Sequence, residues 1–323
     1  MTAELVGEAT IVERGDIQAA RRRIAGHVRS TPVLEAGAGS FGLETPLVLK
    51  LELMQHTGSF KARGVTNRLA AMSAEERSRG VAGASAGNHA IALAWGAARE
   101  GLECVVFSWP GGSPFKLDRA RALGARIDVE AADPADAFER LEAHLEATGA
   151  ALVHPFDDPL VLAGQGTVGL EILEDAPDTD VVVVAVGGGG LVGGIATAVA
   201  PRGVRVVGVE PDGSAALLPA LAAGEPVHVT PHTIASGLDA PYIGRNALAA
   251  CTAAGVEVVT VPDDAIAAAM RRLYADAKLA CEPAGAAGVA AVLCGLVEGE
   301  SVVAVVSGGN VGPDIASGIL AGR

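Results

Sequence analysis

The chain has 323 residues, half of them hydrophobic, which fills one large α/β core or two smaller ones and excludes a disordered protein. A formal net charge of −14, with no basic run longer than Arg21-Arg22-Arg23, argues against nucleic acid and anionic membrane surfaces as partners. Cys104, Cys251, Cys281 and Cys294 stand singly in apolar stretches without C-x-x-C spacing, so they read as buried, reduced thiols in a reducing compartment.

At the N-terminus, Glu4, Glu8 and Glu13 stand where a secretory signal would carry a basic start and an apolar run, and a cytoplasmic location is expected. Helical periodicity follows over residues 17–28, then again over 90–100, 114–123, 136–147 and 264–279, the last opened by an Asp cap. Short apolar runs at 47–49, 105–107, 181–186, 204–209 and 302–306 read as strands. Because these runs are apolar on both faces, they suit strands covered by helices on both sides, and the fold class is α/β with mainly parallel strands. Residues 181–200 are uncharged and of membrane-spanning length. Four glycines in their middle, each costing a helix roughly 1 kcal/mol relative to Ala, favour a strand, a loop and a helix instead. Glycine turns recur after strands at Gly58, Gly83 to Gly87, Gly187 to Gly190 and Gly308-Gly309. In open parallel sheets, ligands sit at the carboxyl ends of strands, so these turns are expected to converge.

Gly187-Gly188-Gly189-Gly190-Leu191 joins a strand to a helix start, where free N–H groups and the positive dipole end suit an anion. The spacing Gly188-x-Gly190-x-x-Gly193 also matches the dinucleotide fingerprint, with Glu210 near the position of a ribose-binding acid. Such a unit usually opens its domain, whereas this one lies beyond mid-chain. A dinucleotide, another phosphate-bearing ligand and a tight turn without ligand all stay open at this point. Lys61, in Thr57-Gly58-Ser59-Phe60-Lys61-Ala62-Arg63-Gly64, falls near a helix start. The dipole there disfavours a further positive charge and so favours the neutral amine that imine chemistry needs. Taken alone, a lysine is more often a solvated surface group.

Four motifs in order, Ser59-Phe60-Lys61-x-Arg63-Gly64, Ala84-Ser85-Ala86-Gly87-Asn88-His89, Gly187 to Leu191 and Ser307-Gly308-Gly309-Asn310, resemble the threonine dehydratase and serine racemase branch of fold-type II pyridoxal-phosphate enzymes. The resemblance extends over most of the chain, through His154-Pro155-Phe156-Asp157-Asp158 and Glu282-Pro283-Ala284-Gly285-Ala286. It implies two open, twisted, mainly parallel sheets flanked by helices, as in the tryptophan synthase β chain. Residues 1–80 and 154–323 would form the large cofactor-binding domain and 81–153 the small one. It further implies pyridoxal 5′-phosphate as cofactor, with Lys61 as the Schiff-base lysine and Phe60 against the pyridine ring. Asn88 would bond the ring hydroxyl, Gly187, Gly188, Gly189, Gly190 and Leu191 the phosphate, and Ser307 the pyridine nitrogen. Backbone N–H groups of Ser85, Ala86, Gly87, Asn88 and His89, at a helix start, are the expected cradle for the substrate carboxylate. A serine hydroxyl, unlike an aspartate, does not stabilise a protonated pyridine nitrogen, so elimination competes well with transamination. The implied reaction turns a hydroxy amino acid such as L-threonine or L-serine into a 2-oxo acid and ammonia, in a homodimer or higher homo-oligomer.

Four departures from the family pattern bear on reaction, substrate and ions. Ala86 stands where racemases of this branch carry a serine, which favours a lyase over a racemase. Ile91 replaces a frequent glutamine and Ser236 a frequent aspartate, leaving threonine, serine and 3-hydroxyaspartate open as substrates. Relatives that bind Mg²⁺ or Ca²⁺ use a glutamate at the position of Glu210, a carbonyl near Ser214 and an aspartate where this chain has Ala216. Glu210 is thus the metal-ligand candidate, with weak or absent divalent activation expected and a monovalent cation open. The chain ends at Arg323 soon after the last motif, and the regulatory domain that biosynthetic threonine dehydratases append is therefore not expected. Competing functions are a serine racemase, a β-replacement transferase of the cysteine synthase type, a dinucleotide-dependent oxidoreductase and a non-catalytic phosphate-binding module.

Overall fold

Ten strands carry the frame of the computed structural model, which describes residues 9–44 and 46–322; Glu4, Glu8 and Arg323 lie outside the described residues. In chain order they are β1 (Val33–Ala36), β2 (Leu47–Lys50), β3 (Val81–Ala84), β4 (Cys104–Phe107), β5 (Arg126–Asp128), β6 (Ala151–Leu152), β7 (Val181–Ala185), β8 (Arg205–Pro211), β9 (Glu257–Val261) and β10 (Val302–Val305). A six-stranded sheet runs β1-β2-β10-β7-β8-β9, parallel throughout except for the antiparallel β1–β2 pair. A four-stranded sheet, β5-β4-β3-β6, is wholly parallel and is confined to residues 81–152 plus their connections.

The valine runs are strands because both of their faces are covered. Along β7, Val181, Val183 and Ala185 enter one apolar core while Val182 and Val184 enter the other, and β10 divides the same way. Each fully buried valine contributes roughly 1.5–3 kcal/mol, which no amphipathic helix of this sequence would recover. The segment 181–200 is accordingly a strand, a loop and the Gly190–Val199 helix, and no helix among the described residues is long and apolar enough to cross a membrane.

Three helices are pressed together at backbone distance. The Pro159–Asp175 helix is buried from Val161 to Leu173 and lies between the Lys61–Ala70 and Gly190–Val199 helices. A Cβ on Gly164 would come within 2.6 Å of the Gly64 Cα, and one on Gly194 within 2.6 Å of the Gly166 nitrogen. Glycine is disfavoured inside helices, yet only its missing side chain allows this approach. The consequence reaches the site: the helix that begins at Lys61 and the helix that begins at Gly190 are fixed against one common rod.

Below Lys61, the Arg63 guanidinium is fully buried and bonded twice over, to Glu52 at 2.7 and 2.8 Å and to Glu171 at 2.6 and 2.8 Å. Lys50 adds a second buried cation, 2.9 Å from both Glu171 and Asp175. Arg63→Met is expected to cost about 3–5 kcal/mol, because two carboxylates would lose their planar partner in a dry setting. Urea unfolding followed by circular dichroism measures this, and a loss under about 1 kcal/mol would contradict the role given to the pair network.

Two sequence expectations are corrected here. The last long helix is Asp263–Ala277 with Pro262 at its N-cap and no side-chain cap; the Asp263 carboxylate instead accepts from Thr233 Oγ1 and the Ile234 N–H. Cys294 is exposed, whereas Cys104, Cys251 and Cys281 are buried free thiols whose pKa burial pushes up to about 12.

Candidate active site

A cavity opens between the two sheets at the carboxyl ends of β3, β7 and β10. Phe60, Lys61, Ser85, Ala86, Gly87, Asn88, His89, Gly187, Gly188, Gly189, Gly190, Leu191 and Ser307 all line it, so residues more than 240 positions apart in the chain meet at one place. Not every glycine turn does so. Gly83 lies inside β3, and Gly58 and Gly309 are joined by the Gly309 N–H to the Gly58 carbonyl at 2.9 Å. That bond, with the Phe60 N–H to the Ser307 carbonyl at 3.2 Å, ties the Phe60-Lys61 segment to the end of β10.

Lys61 begins its helix and opens only into the cavity. Its Nζ donates to the Pro155 carbonyl at 2.7 Å and sits 5.0 Å from the Phe60 ring centroid. Burial lowers its pKa to about 8, with no carboxylate paired to it among the described residues to raise it again. The contrast with its neighbours is sharp: Lys50 and Lys116 are both held in buried ion pairs.

Gly189 has φ +87°, a left-handed turn that glycine adopts without strain. Gly188 lies so close to Phe156 that a Cβ there would fall 2.2 Å from the ring. The loop is thereby folded back on itself, and the five N–H groups from Gly187 to Leu191 have no hydrogen-bond partner among the described residues. Unpartnered N–H groups at a helix N-terminus that line a cavity are a fitting cradle for a phosphate, and Lys61 shares that cavity. These residues fit pyridoxal phosphate on both counts: anion donors and a desolvated amine.

The Ser85–His89 turn contributes fewer donors than its sequence suggests. The Ser85 N–H is used on the Phe107 carbonyl at 2.9 Å and the Gly87 N–H on Ser85 Oγ at 3.1 Å. Ser85 Oγ also accepts from the Ala90 N–H at 3.3 Å. Ala86, Asn88 and His89 keep N–H groups without a partner among the described residues. The His89 imidazole is buried with Nε2 2.8 Å from the Val153 carbonyl, and burial holds its pKa down to about 3, so the ring is neutral. His154 behind it is likewise lowered to about 3 by burial; its Nδ1 accepts from the Asp157 N–H at 2.8 Å.

Asn88 is clamped rather than free. Its Nδ2 donates to Glu282 at 2.6 Å and its Oδ1 accepts from Asn310 Nδ2 at 2.9 Å, which leaves one amide N–H for a ligand. Glu282 also holds Lys116 at 2.7 Å, a fully enclosed pair across the two sheets. Ser307 is 5% exposed, and its hydroxyl lies 3.4 Å from the Ala284 carbonyl, a weak contact that leaves it able to turn to a ring nitrogen. Sequence reasoning gave no role to Pro155, Glu282 and Asn310, and none of its site residues came from the loops that supply Trp109, Asp239 and Tyr242 or from the Pro134–Thr148 helix that supplies Phe138 to the cavity wall.

Glu210 is not on the cavity wall, and its carboxylate faces backbone N–H groups. Its buried carboxylate accepts from the N–H groups of Ala216, Leu217 and Leu218 at 2.7, 2.7 and 3.0 Å, so it caps the Leu217–Ala223 helix. Among the described residues, no cluster of three His, Cys, Asp or Glu side chains suits a metal ion. The same geometry removes the acid that the dinucleotide reading requires at the ribose.

Comparison with known proteins agrees with this geometry. The chain is 40% identical over 311 residues to an L-threonine ammonia-lyase of Thermotoga maritima, covering 94% of this chain and 77% of that protein. It superposes on the structure of maize serine racemase with a TM-score of 0.90 at 32% identity, covering 94% of this chain and 95% of that one. A threonine deaminase from T.th. gives a TM-score of 0.88 at 36% identity, covering 93% of this chain and 99% of that one. A family model described as pyridoxal-phosphate dependent enzyme matches residues 24–308, and with the lysine, the phosphate cradle and the two parallel sheets in hand, the chain belongs to that family.

Proposed function

We propose that this protein is a pyridoxal-phosphate dependent ammonia-lyase that dehydrates L-threonine, L-serine or both to a 2-oxo acid and ammonia. One observation carries the reading: Lys61, an amine without a carboxylate partner among the described residues, shares a cavity with five consecutive N–H groups that have no partner there. The names of its relatives, an L-threonine ammonia-lyase and a threonine deaminase, support the same activity.

When bound, the cofactor supplies the electron sink that makes the substrate α-proton removable. The chain supplies the rest. Gly187 to Leu191 hold the phosphate at a helix N-terminus, and Phe60 with Gly188 bounds the site for a flat ring. The N–H groups of Ala86, Asn88 and His89 receive the substrate carboxylate, with no arginine on the cavity wall to do so instead. Lys61 would hold the cofactor, and its free amine, with a pKa lowered to about 8, is suited to accept the α-proton near neutral pH. Ser307 offers a neutral hydroxyl to the ring nitrogen, which keeps the sink moderate and favours departure of the β-hydroxyl.

Reading residues 81–153 as the small domain is supported by the confinement of β3 to β6 to that stretch. A cytoplasmic location, supported by four cysteines that are all free thiols, and a homo-oligomer complete the proposal.

The purified yellow protein should release equal amounts of ammonia and 2-oxo acid from L-threonine or L-serine and lose its colour with borohydride. A colourless protein that binds NADH would overturn the reading. A pH dependence follows from Lys61. A lysine lowered to about 8 is protonated, and not nucleophilic, below that value. Capture of pyridoxal phosphate by the cofactor-free protein is therefore expected to slow roughly tenfold per pH unit well below about pH 8. Stopped-flow absorbance reads the rate, and a flat profile between about pH 6 and 9 would contradict the assigned nucleophile.

A further inference from the structure

Charge is distributed unevenly over the cavity wall. Its ionisable residues are Lys61, His89, Asp239 and Tyr242, and neither an arginine nor a second lysine is among them. His89 is neutral, as burial dictates. Asp239, an exposed residue, lines the cavity from the segment that also contributes Ser236 and Tyr242. Beyond its own backbone N–H it has no hydrogen-bond or ion-pair partner among the described residues, and the cation whose field reaches it, Lys116, is already committed to Glu282 at 2.7 Å. The cavity wall also includes Pro134, Phe138 and Pro241, which offer a charge nothing in return.

We propose that Asp239 selects the substrate's side chain by charge, so that the site takes hydroxy amino acids with a neutral or cationic side chain and rejects those with a second carboxylate. An acidic side chain entering here would be desolvated with no cation to receive it and would face a like charge. A hydroxyl finds an acceptor, and an ammonium finds a partner. The inference rests on the dehydratase reading and deepens it, keeping threonine and serine and removing 3-hydroxyaspartate.

The test uses the cofactor-loaded protein at about pH 8, where the Asp239 carboxyl, exposed at the cavity and raised only to about 6 by partial desolvation, is ionised. L-Alanine, L-aspartate and L-2,4-diaminobutyrate, none of which has a β-hydroxyl, are titrated against the visible absorbance of the wild type, Asp239→Asn and Asp239→Glu. The wild type should bind aspartate at least about 30-fold more weakly than alanine, a gap of the size that uncompensated like charges produce. Asp239→Asn should narrow that gap about tenfold and remove any preference for diaminobutyrate, while Asp239→Glu keeps both. Equal gaps in wild type and Asp239→Asn, or wild-type turnover of 3-hydroxyaspartate at the rate of threonine, would overturn the proposal. The two readings fail separately. Absence of turnover with every hydroxy amino acid sinks the dehydratase while the binding panel still reports on Asp239, and threonine turnover with an unchanged panel sinks Asp239 alone.

Discussion

Lys61→Ala is expected to lower turnover of L-threonine and L-serine by at least about 10⁴-fold, because one side chain serves both as imine partner and as base. The fold should survive. Lys61 is a desolvated amine with a single hydrogen bond, to the Pro155 carbonyl, and its removal leaves no buried counter-charge behind. Loss of 2-oxo acid formation with an unchanged Tm is the predicted pair of results. Borohydride trapping followed by mass spectrometry should label Lys61 alone. Lys50 and Lys116, the other buried lysines, are unsuitable nucleophiles, since the first is 2.9 Å from both Glu171 and Asp175 and the second 2.7 Å from Glu282. A label on either, or a Lys61→Ala protein retaining more than about 1% of activity, would remove Lys61 from the centre of the chemistry.

What the sequence made legible was local. Val181 to Val186 read as a doubly covered strand because apolar residues fill both faces of a period of two, and the buried positions of β7 follow that pattern. The glycines after it read as an anion loop because a strand, a turn and a helix start lie side by side in the chain. Lys61 drew attention through its helix-start position and its motif, and the structure adds the quantity that matters, a pKa lowered by burial.

What stayed hidden depends on contacts across the chain. Arg63 sits in a recognised motif, but its partners Glu52 and Glu171 are 11 and 108 residues away, and only the second lies on the helix that also packs on Gly64. The surroundings of Glu210 are hidden in the same way. Its spacing from the glycine loop suits a ribose acid and its family position suits a metal, yet the next turn brings three N–H groups back onto it. The loop residues Trp109, Asp239 and Tyr242 have no periodicity to mark them, and Phe138 lies in a helix whose periodicity marks a buried face but not a cavity wall.

The wild-type protein is expected to eliminate water from L-serine about 10²–10⁴ times faster than it converts L-serine to D-serine. Racemisation needs a proton donor on each face of the deprotonated α-carbon. Lys61 serves the face it approaches, and we propose that Ala86, which by the family resemblance takes the place of the second donor, offers only a methyl group. Ala86 lines the same cavity as Lys61 and is half-buried, so a hydroxyl added to its Cβ has open space to occupy. Elimination does not require that second donor. It draws on the Lys61 face and on protonation of the departing hydroxyl, and it therefore survives the alanine. A purely structural account of Ala86 is available, since its Cβ is already so close to the turn at Gly112 that a Cβ there would fall 2.8 Å away. Ala86→Ser separates the two accounts. If the residue decides the outcome, the variant forms measurable D-serine from L-serine by chiral chromatography while its Tm stays near that of the wild type. If packing is its only task, the variant loses stability and gains no racemase activity; D-serine formed by the unmodified protein at a rate comparable to elimination would end the lyase-over-racemase reading outright.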